Sequence, residues 1–417
     1  MHTDYLPEIR IKKTLQRQAV AWPHCRTQNA GNGETQLPRF HFTPFEMPEA
    51  AKVLRREVRA FLREEMPQST SATKARSWSG GAAEFSRKLG ERGWLGMTLP
   101  KKYGGHEKSY AERYVVIEEM LVAGAPVGLH WVADRQSGPL ILRYGTEEQR
   151  QKILPRIARG EAFFCIGMSE PGSGSDLASV RTRARKVDGG WRINGQKIWT
   201  STAQHAHYMI ALVRTGDGET RHAGLTQFLV DMRSDGLTVK PIANLTGESH
   251  FNEVFFDDVF VPDSMLIGNE GGGWQQVTAE LAFERSGPER YLSSIRLFLE
   301  FLRVTGENPS ELEKQLIGRM TAEMWTLRNM SMSILGKLSA GEDPAVDAAV
   351  VKDLGTSFEQ EVPRLIQANT RSDVTLETGD AFNDTLSYLL QNSPSFSLRG
   401  GTREILRGII ARELGLR

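Results

Sequence analysis

Three observations predict a three-part chain, helical, then strand-rich, then helical again. Apolar residues recur at helical spacing from Met47 to about residue 161, alternate with a period of two from about Ala162 to Ile267, and return to helical stripes beyond. An α+β protein of several domains follows. It has an all-α domain over 45–161, a middle domain of antiparallel strands in a small barrel or sandwich over 162–267, and a helical bundle over 268–417. At 417 residues the chain is long enough for two or three sizeable cores.

Residues 1–44 stand apart. They carry Arg10, Lys12, Lys13, Arg17 and Arg26 against few acids and show no sustained periodicity. Their serine and amphipathic content is weak for a transit peptide, so a flexible N-terminal extension with no assigned function is expected. In the first helix Val53, Leu54, Val58, Phe61 and Leu62 share one face, Pro48 suits the first turn and Pro67 ends the run. Phe85 and Leu89 mark a second amphipathic stretch closed by Gly93, and Leu99 to Gly105 reads as a turn. Helices follow over 110–122 and 132–144. Thr146 with Gln149 then predicts a capping box for a helix interrupted by Pro155.

Alternation over 180–187, 191–199, 208–213, 225–230 and 254–261, with Gly and Asp between the runs, predicts the strands. Asp188-Gly189-Gly190 reads as a turn and Asn194-Gly195 as a hairpin. The last part is expected to be helical over 274–304, 309–340, 345–371 and 381–392, its clearest stripe being Leu312, Leu316, Met320, Leu327, Ile334 and Leu338. Met320, Met324, Met330 and Met332 read as core or subunit interface rather than as a ligand site.

Composition excludes several classes. A formal net charge of +1 with 25% charged residues gives no general attraction to nucleic acid or an anionic membrane. Arg399, Arg403, Arg407, Arg412 and Arg417 gather at the C-terminus, where a solvated face is expected. Two cysteines, Cys25 and Cys165, make no disulfide framework, and no apolar run reaches the length of a membrane span. A soluble protein of a reducing, cytoplasmic compartment is expected.

Chemistry concentrates in one stretch. The apolar run Phe164-Cys165-Ile166-Gly167 reads as a buried strand, and Met168-Ser169-Glu170-Pro171 opens into a loop where Gly172 and Gly174 let the backbone approach a ligand. Its amides and the hydroxyls of Ser169, Ser173 and Ser175 are expected to face that ligand. Downstream, Gln196-Lys197-Ile198-Trp199-Thr200-Ser201 sets an indole face and hydroxyls on a second strand. Together they suit a flat cofactor with polar edges. A surface loop beside a core tryptophan accounts for either motif alone, but poorly for both.

The pair resembles the flavin site of the acyl-CoA dehydrogenases, whose Ser/Thr-Glu-Pro-x-x-Gly-Ser-Asp loop is matched from Ser169 to Asp176 and whose Gln-Lys-x-Trp is matched at Gln196 to Trp199. The resemblance runs from about residue 45 to the end and implies a C-terminal four-helix bundle, through which members form dimers or tetramers. It also implies FAD, held by Met168, Ser169, Gly174, Ser175, Trp199, Thr200, Ser201, Arg303, Thr402 and Glu404. The acyl-CoA substrate is touched by Ser175 and Arg285, and an electron-transfer flavoprotein is the electron acceptor.

In this family hydride leaves Cβ of the thioester for flavin N5 while a carboxylate takes the α-proton, so the acyl chain lies between the two. Many members supply that carboxylate from a Tyr-Glu-Gly-Thr loop. Here Arg399-Gly400-Gly401-Thr402 occupies the loop, and Gly400 stands where the base is usual. Leu281-Ala282-Phe283-Glu284-Arg285 resembles the Leu-x-x-Glu-Arg segment of members whose base is on the first bundle helix, which implies Glu284 as the base. The alternative makes Glu284 and Arg285 an exposed helix pair. Gly400 keeps a backbone N–H, which the resemblance implies as an oxyanion donor to the thioester carbonyl.

The family's glycine-rich segment before this loop is reduced to 374–382 with Gly379 as its single glycine, and the pattern around Arg303 is poorly kept. Such departures resemble bacterial members that act on bulky acyl-CoAs, some of which pair an active subunit with a degenerate one. Three readings stay open: a dehydrogenase alone or in a hetero-oligomer, a non-catalytic or nucleic-acid-binding relative, and an oxidase-like flavoenzyme using oxygen.

Overall fold

The computed structural model describes residues 40–216, 220, 222–284, 287–370 and 379–416, with backbone alone for 280–284. In α1 (Glu49–Glu65) Ala51, Leu54, Val58, Phe61 and Leu62 are buried on one face. Val53, expected on that face, is exposed. α2 (Ser71–Ala75) and α3 (Ala83–Glu91) follow, with Phe85 and Leu89 buried. Lys101–Tyr103 is a 3-10 turn, and α4 (Tyr110–Ala123) begins at a Ser109–Glu112 capping box. Where one helix was expected over 132–144, α5 (Gly128–Val132) and α6 (Gly138–Tyr144) are joined by a π-helical turn, Ala133–Ser137. α7 (Glu147–Ala158) has the predicted Thr146–Gln149 box and runs through Pro155.

The strands are β1 (Phe164–Gly167), β2 (Arg183–Val187), β3 (Gly190–Ser201), β4 (Tyr208–Arg214), β5 (Leu225–Asp231), β6 (Leu237–Ile242), β7 (Phe251–Pro262) and β8 (Leu266–Ile267). They form one sheet in the order β6-β7-β3-β2-β4-β5-β8, with β1 added on β4. The sheet is mixed rather than wholly antiparallel, since β1 runs parallel to β4. A period of two is the same in either direction, so alternation alone does not distinguish them. β4 is apolar at successive positions because both its faces are covered. Tyr208 and Ile210 pack with Ile141, Ile153 and Leu154 of the helices, while Met209, Ala211 and Val213 pack inside the sheet with Trp191, Phe228 and Val254.

The turn at Asp188-Gly189 joins β2 to β3 as expected, but Asn194-Gly195 is not a hairpin. β3 passes straight through it, paired with β2 on one side and β7 on the other. Gly195 instead faces a bulge in β7, where Asn194 Oδ1 accepts the Asp258 N–H at 2.9 Å. Its φ is +148°, and a Cβ there would lie 2.5 Å from Thr182 Oγ1.

The single helix expected over 274–304 is two, α8 (Gly273–Glu284) and α9 (Ile295–Thr305), with a 3-10 turn at Pro288–Arg290 between them. Proline weakens a continued helix, because its ring crowds the carbonyl four residues back. For Pro288 that carbonyl belongs to Glu284, the last described residue of α8. α10 (Glu311–Ser339), α11 (Ala345–Thr370), α12 (Ala381–Asn392) and α13 (Arg403–Glu413) complete the bundle. Arg403 and Arg407, expected to be solvated, both reach Asp353 of α11, at 2.9 and 3.2 Å.

A buried polar network joins α1, α4 and α10. Glu118 accepts from Arg55 at 2.7 Å and Arg328 at 2.6 Å, and the Tyr291 hydroxyl lies 3.3 Å from it. Burial alone would raise the Glu118 carboxyl, but Arg328 and Arg55 outweigh it and hold it below its usual value. The stability this contributes is therefore complete above the ordinary glutamate value of about 4.3 and is lost as pH falls through the lower folded value. Glu118→Gln is predicted to cost roughly 3–5 kcal/mol at neutral pH, because it strands Arg328, while Arg55 keeps its pairing with Glu119. Its acid unfolding, followed by circular dichroism, should fall less steeply than that of wild type; an equally steep fall would remove Glu118 as the acid-sensitive group.

Candidate active site

The two motifs are bolted together through the two residues that neither motif seemed to need for ligand contact. Lys197, fully buried in β3, donates to Glu170 Oε1 at 2.7 Å and to the Met168 carbonyl at 3.1 Å. Glu170 also accepts the amides of Arg181 at 2.6 Å and Thr182 at 2.9 Å, and Ile198 N–H donates to the Ser169 carbonyl at 2.9 Å. Burial pushes the Lys197 ammonium down to about 8, with Glu170 holding it against a larger fall. Burial acts to raise Glu170, but Lys197 and the amides outweigh it and leave it below its usual value. The loop beyond is open. No atom lies within 4 Å of a Cβ built on Gly172 or Gly174. Gly174 and Ser175 are exposed, and Ser169 is half-buried.

Ser173 does not face a ligand as expected. It is buried and donates to the Asp176 carbonyl at 2.6 Å, while its backbone exchanges both hydrogen bonds with Glu170. It therefore shapes the loop from beneath.

Between Lys197 and Thr200, β3 takes three steps where β7 takes two. Trp199 is the residue that this bulge turns outward, with φ +59° and 57% exposure. Thr200 returns to the inner face with Lys197. Its side chain is buried and its hydroxyl has no hydrogen-bond partner, so it is not brought to the face that holds Trp199. Ser201, half-buried, follows on the outer side.

At the C-terminal loop, Gly400 and Gly401 take φ +62° and +96°, a left-handed backbone that glycine tolerates best. Clamps hold the loop on both sides. Lys352, fully buried in α11, donates to the Gly401 carbonyl at 2.7 Å. Arg399 reaches the buried Glu359 at 3.0 Å and Ser293 Oγ at 3.1 Å, its guanidinium 4.4 Å from the ring centres of Trp78 and Phe396. Burial pushes the Glu359 carboxyl up even against Arg399. Thr402 caps α13, and Glu404 is exposed in its first turn. Arg303 pairs with Glu300 on α9 at 2.7 Å with most of its side chain in solvent, and α9 packs on α2, α11 and α12.

Rings connect the two halves of this arrangement. Trp199 meets Phe251 edge-on at 6.1 Å, Phe251 meets His250 at 4.9 Å, and His250 meets Trp78 at 5.6 Å, which carries Arg399. Burial, with Arg399 nearby, pushes His250 down to about 4, so it stays neutral in this chain of rings. α8 packs on β5, the π turn and α6. Trp274 in its first turn packs near Met168 and Leu177, and its body packs on α11. Glu284 is the last described residue of α8; Arg285 and residues 374–378 of the Gly379 segment lie outside the described residues. Sequence reading missed Lys352, His250, Trp78 and the clamping role of Arg399, which is visible only when distant segments meet.

Family models match the chain twice, as the acyl-CoA dehydrogenase N-terminal domain over residues 48–161 and the middle domain over 165–259. The chain belongs to the acyl-CoA dehydrogenases. It is similar to the acyl-CoA dehydrogenase IpdE1 of Mycolicibacterium smegmatis, 32% identical with 87% of this chain and 97% of the relative covered. It is 33% identical to FadE34 of Mycobacterium tuberculosis over 78% of this chain, and spans only 45% of that longer protein. Among solved structures, a Tcur3481-Tcur3483 steroid ACAD superposes with a TM-score of 0.80 at 30% identity, covering 89% of this chain and 98% of the other.

Acyl-CoA dehydrogenases are oxidoreductases and flavoproteins, and the residues described here fit a flavin. The open backbone at Gly172 and Gly174 and the outward indole of Trp199 leave a flat, partly polar surface for it. Gly400 keeps a backbone N–H in a loop clamped through Gly401 and Arg399. Gly400→Pro removes that N–H and cannot adopt φ +62°. Flavin reduction by an acyl-CoA is predicted to slow by about 10²–10³-fold, the loss known for one oxyanion donor. Stopped-flow absorbance measures it, and an unchanged rate would remove Gly400 from the site.

Proposed function

We propose that the protein is an FAD-dependent dehydrogenase that introduces a Cα–Cβ double bond into an acyl-CoA thioester. The observation that carries this reading is the joining of the two signatures by Lys197–Glu170 and Ile198–Ser169, which sets the open glycine loop beside the outward Trp199. FAD held by the glycine loop and Trp199 would supply the hydride acceptor for the acyl Cβ. Glu284 takes the α-proton. It stands on α8, the first helix of the bundle, where the resemblance places the base. Gly400 N–H donates to the thioester carbonyl oxygen and stabilises the enolate-like charge.

Met168, Ser169, Gly174, Ser175, Trp199 and Ser201 line the flavin in this reading, with Thr200 supporting them from the inner face and Thr402 and Glu404 at the C-terminal loop. Arg303 is assigned to the cofactor pyrophosphate, and Ser175 and Arg285 to the substrate. The proposed electron acceptor is an electron-transfer flavoprotein. Similarity to a steroid ACAD supports a bulky acyl group. Leu312 and Trp325 on α10 and Leu354 on α11 are exposed, which supports an oligomer formed through the bundle. No helix among the described residues is long and apolar enough to cross a membrane, and Cys165 is a free buried thiol, which fits the cytoplasm.

An anaerobic visible spectrum of the purified protein with acyl-CoAs of differing length and bulk tests the reading. A yellow band that bleaches with one of them supports it. A protein that stays colourless with added FAD points to a non-catalytic subunit, and peroxide formation under air points to an oxidase.

A further inference from the structure

One helix grips both sides of the proposed reaction. α11 packs on α8, which carries Glu284, on the Pro288–Arg290 turn beyond it, and on α13, which follows the Gly400 loop. It lies so close to the turn that a Cβ on Gly355 would be 2.1 Å from the Arg290 carbonyl oxygen. One helical turn further along, Glu359 is fully buried. Its Oε1 accepts the Ser293 N–H at 2.7 Å, its Oε2 accepts from Arg399 Nη2 at 3.0 Å, and its backbone carbonyl accepts the Ser294 hydroxyl at 2.7 Å. Arg399 Nη2 also donates to Ser293 Oγ at 3.1 Å, which closes a triangle of Glu359, Ser293 and Arg399.

The triangle joins segments far apart in sequence. Ser293 follows Glu284 by nine residues, and Arg399 directly precedes Gly400. Two helical turns before Glu359, on the same face of α11, Lys352 donates to the Gly401 carbonyl at 2.7 Å. Gly400 is thus held between two contacts made by a single helix.

We infer that Glu359 is a positioning residue that sets the separation between the base on α8 and the Gly400 N–H, an inference that rests on the acyl-CoA reading above. Fully buried, it acts through Ser293 and Arg399 rather than on the substrate. The α-carbon and the carbonyl oxygen of a thioester are two bonds apart, so the base and the N–H must reach them together. A displacement of one side against the other by about 1 Å is enough to cost on the order of 10²-fold in rate. A buried ion pair adds little net stability over apolar groups of similar volume, so the contribution of this one is geometric.

Single-turnover flavin reduction, with the acyl-CoA that reduces wild type fastest, tests this in wild type and two variants. Glu359→Asp keeps the charge and draws the carboxylate back by one carbon–carbon bond, about 1.5 Å. The double variant Glu359→Met/Arg399→Met replaces the pair by apolar groups, an exchange buried ion pairs tolerate, and serves where the single variant does not fold. In the folded variant the rate constant should fall about 10- to 100-fold at full amplitude. FAD binding by absorbance titration and acyl-CoA binding by calorimetry should change less than about threefold, since the loss is confined to the chemical step. A merely structural role would lower the folded fraction, and so the amplitude, at an unchanged rate constant. A folded variant of either kind that keeps the wild-type rate constant overturns the role alone. Wild type that no acyl-CoA reduces overturns the dehydrogenase reading, and this role with it.

Discussion

Lys197→Met is expected to lower stability by about 3–5 kcal/mol, the cost of breaking a buried pair and leaving one charge behind. Glu170→Leu should cost more. The carboxylate holds the amides of Arg181 and Thr182 as well as Lys197, so its loss strands two backbone donors at about 1–3 kcal/mol each. Lys197, by contrast, titrates near 8 and can shed its proton when its partner is removed. Urea unfolding of both variants gives the order directly. If Lys197→Met proves the more damaging, the carboxylate is not the anchor of the loop. In either variant the strand that carries Trp199 keeps only the Ile198–Ser169 tie to the glycine loop, and added FAD should bind more weakly in an absorbance titration.

Glu284→Gln is expected to retain the fold and bound flavin yet reduce that flavin about 10²–10⁴-fold more slowly with an acyl-CoA, the range for removal of a general base. The substitution keeps size and helix preference. The pH profile separates this role from a structural one. Wild-type reduction should rise with pH as the carboxyl ionises, whereas the residual rate of the variant should be flat through that region. Wild-type turnover in Glu284→Gln would remove it as the base.

The succession of helical, strand and helical parts was legible because each part repeats its own period over many residues. Strand direction was not, since β1 alternates identically whether parallel or antiparallel to β4. Asn194-Gly195 has the chemistry of a hairpin but serves β3 as the point facing a bulge, because a twelve-residue strand pairs on both sides. For the site, the structure joins the two motif stretches, and the sequence missed the orientation of residues within them. The bulge before Thr200 sends Trp199 outward and Thr200 inward, a one-residue matter that period cannot reveal. The clamps on Gly400 come from α11 and from Trp78, some three hundred residues upstream, a proximity that exists only after folding.

The line of rings from Trp199 to Trp78 bears on what a piece of this chain is worth. A fragment spanning the sheet alone would contain both flavin signatures intact and would score as a flavin protein by any motif search. It would lack Trp78, Arg399 and Lys352, and with them the wall opposite. Cofactor affinity is then a property of the assembled whole, and titrating flavin against a partly unfolded sample becomes a gauge of how many molecules have closed all three parts together.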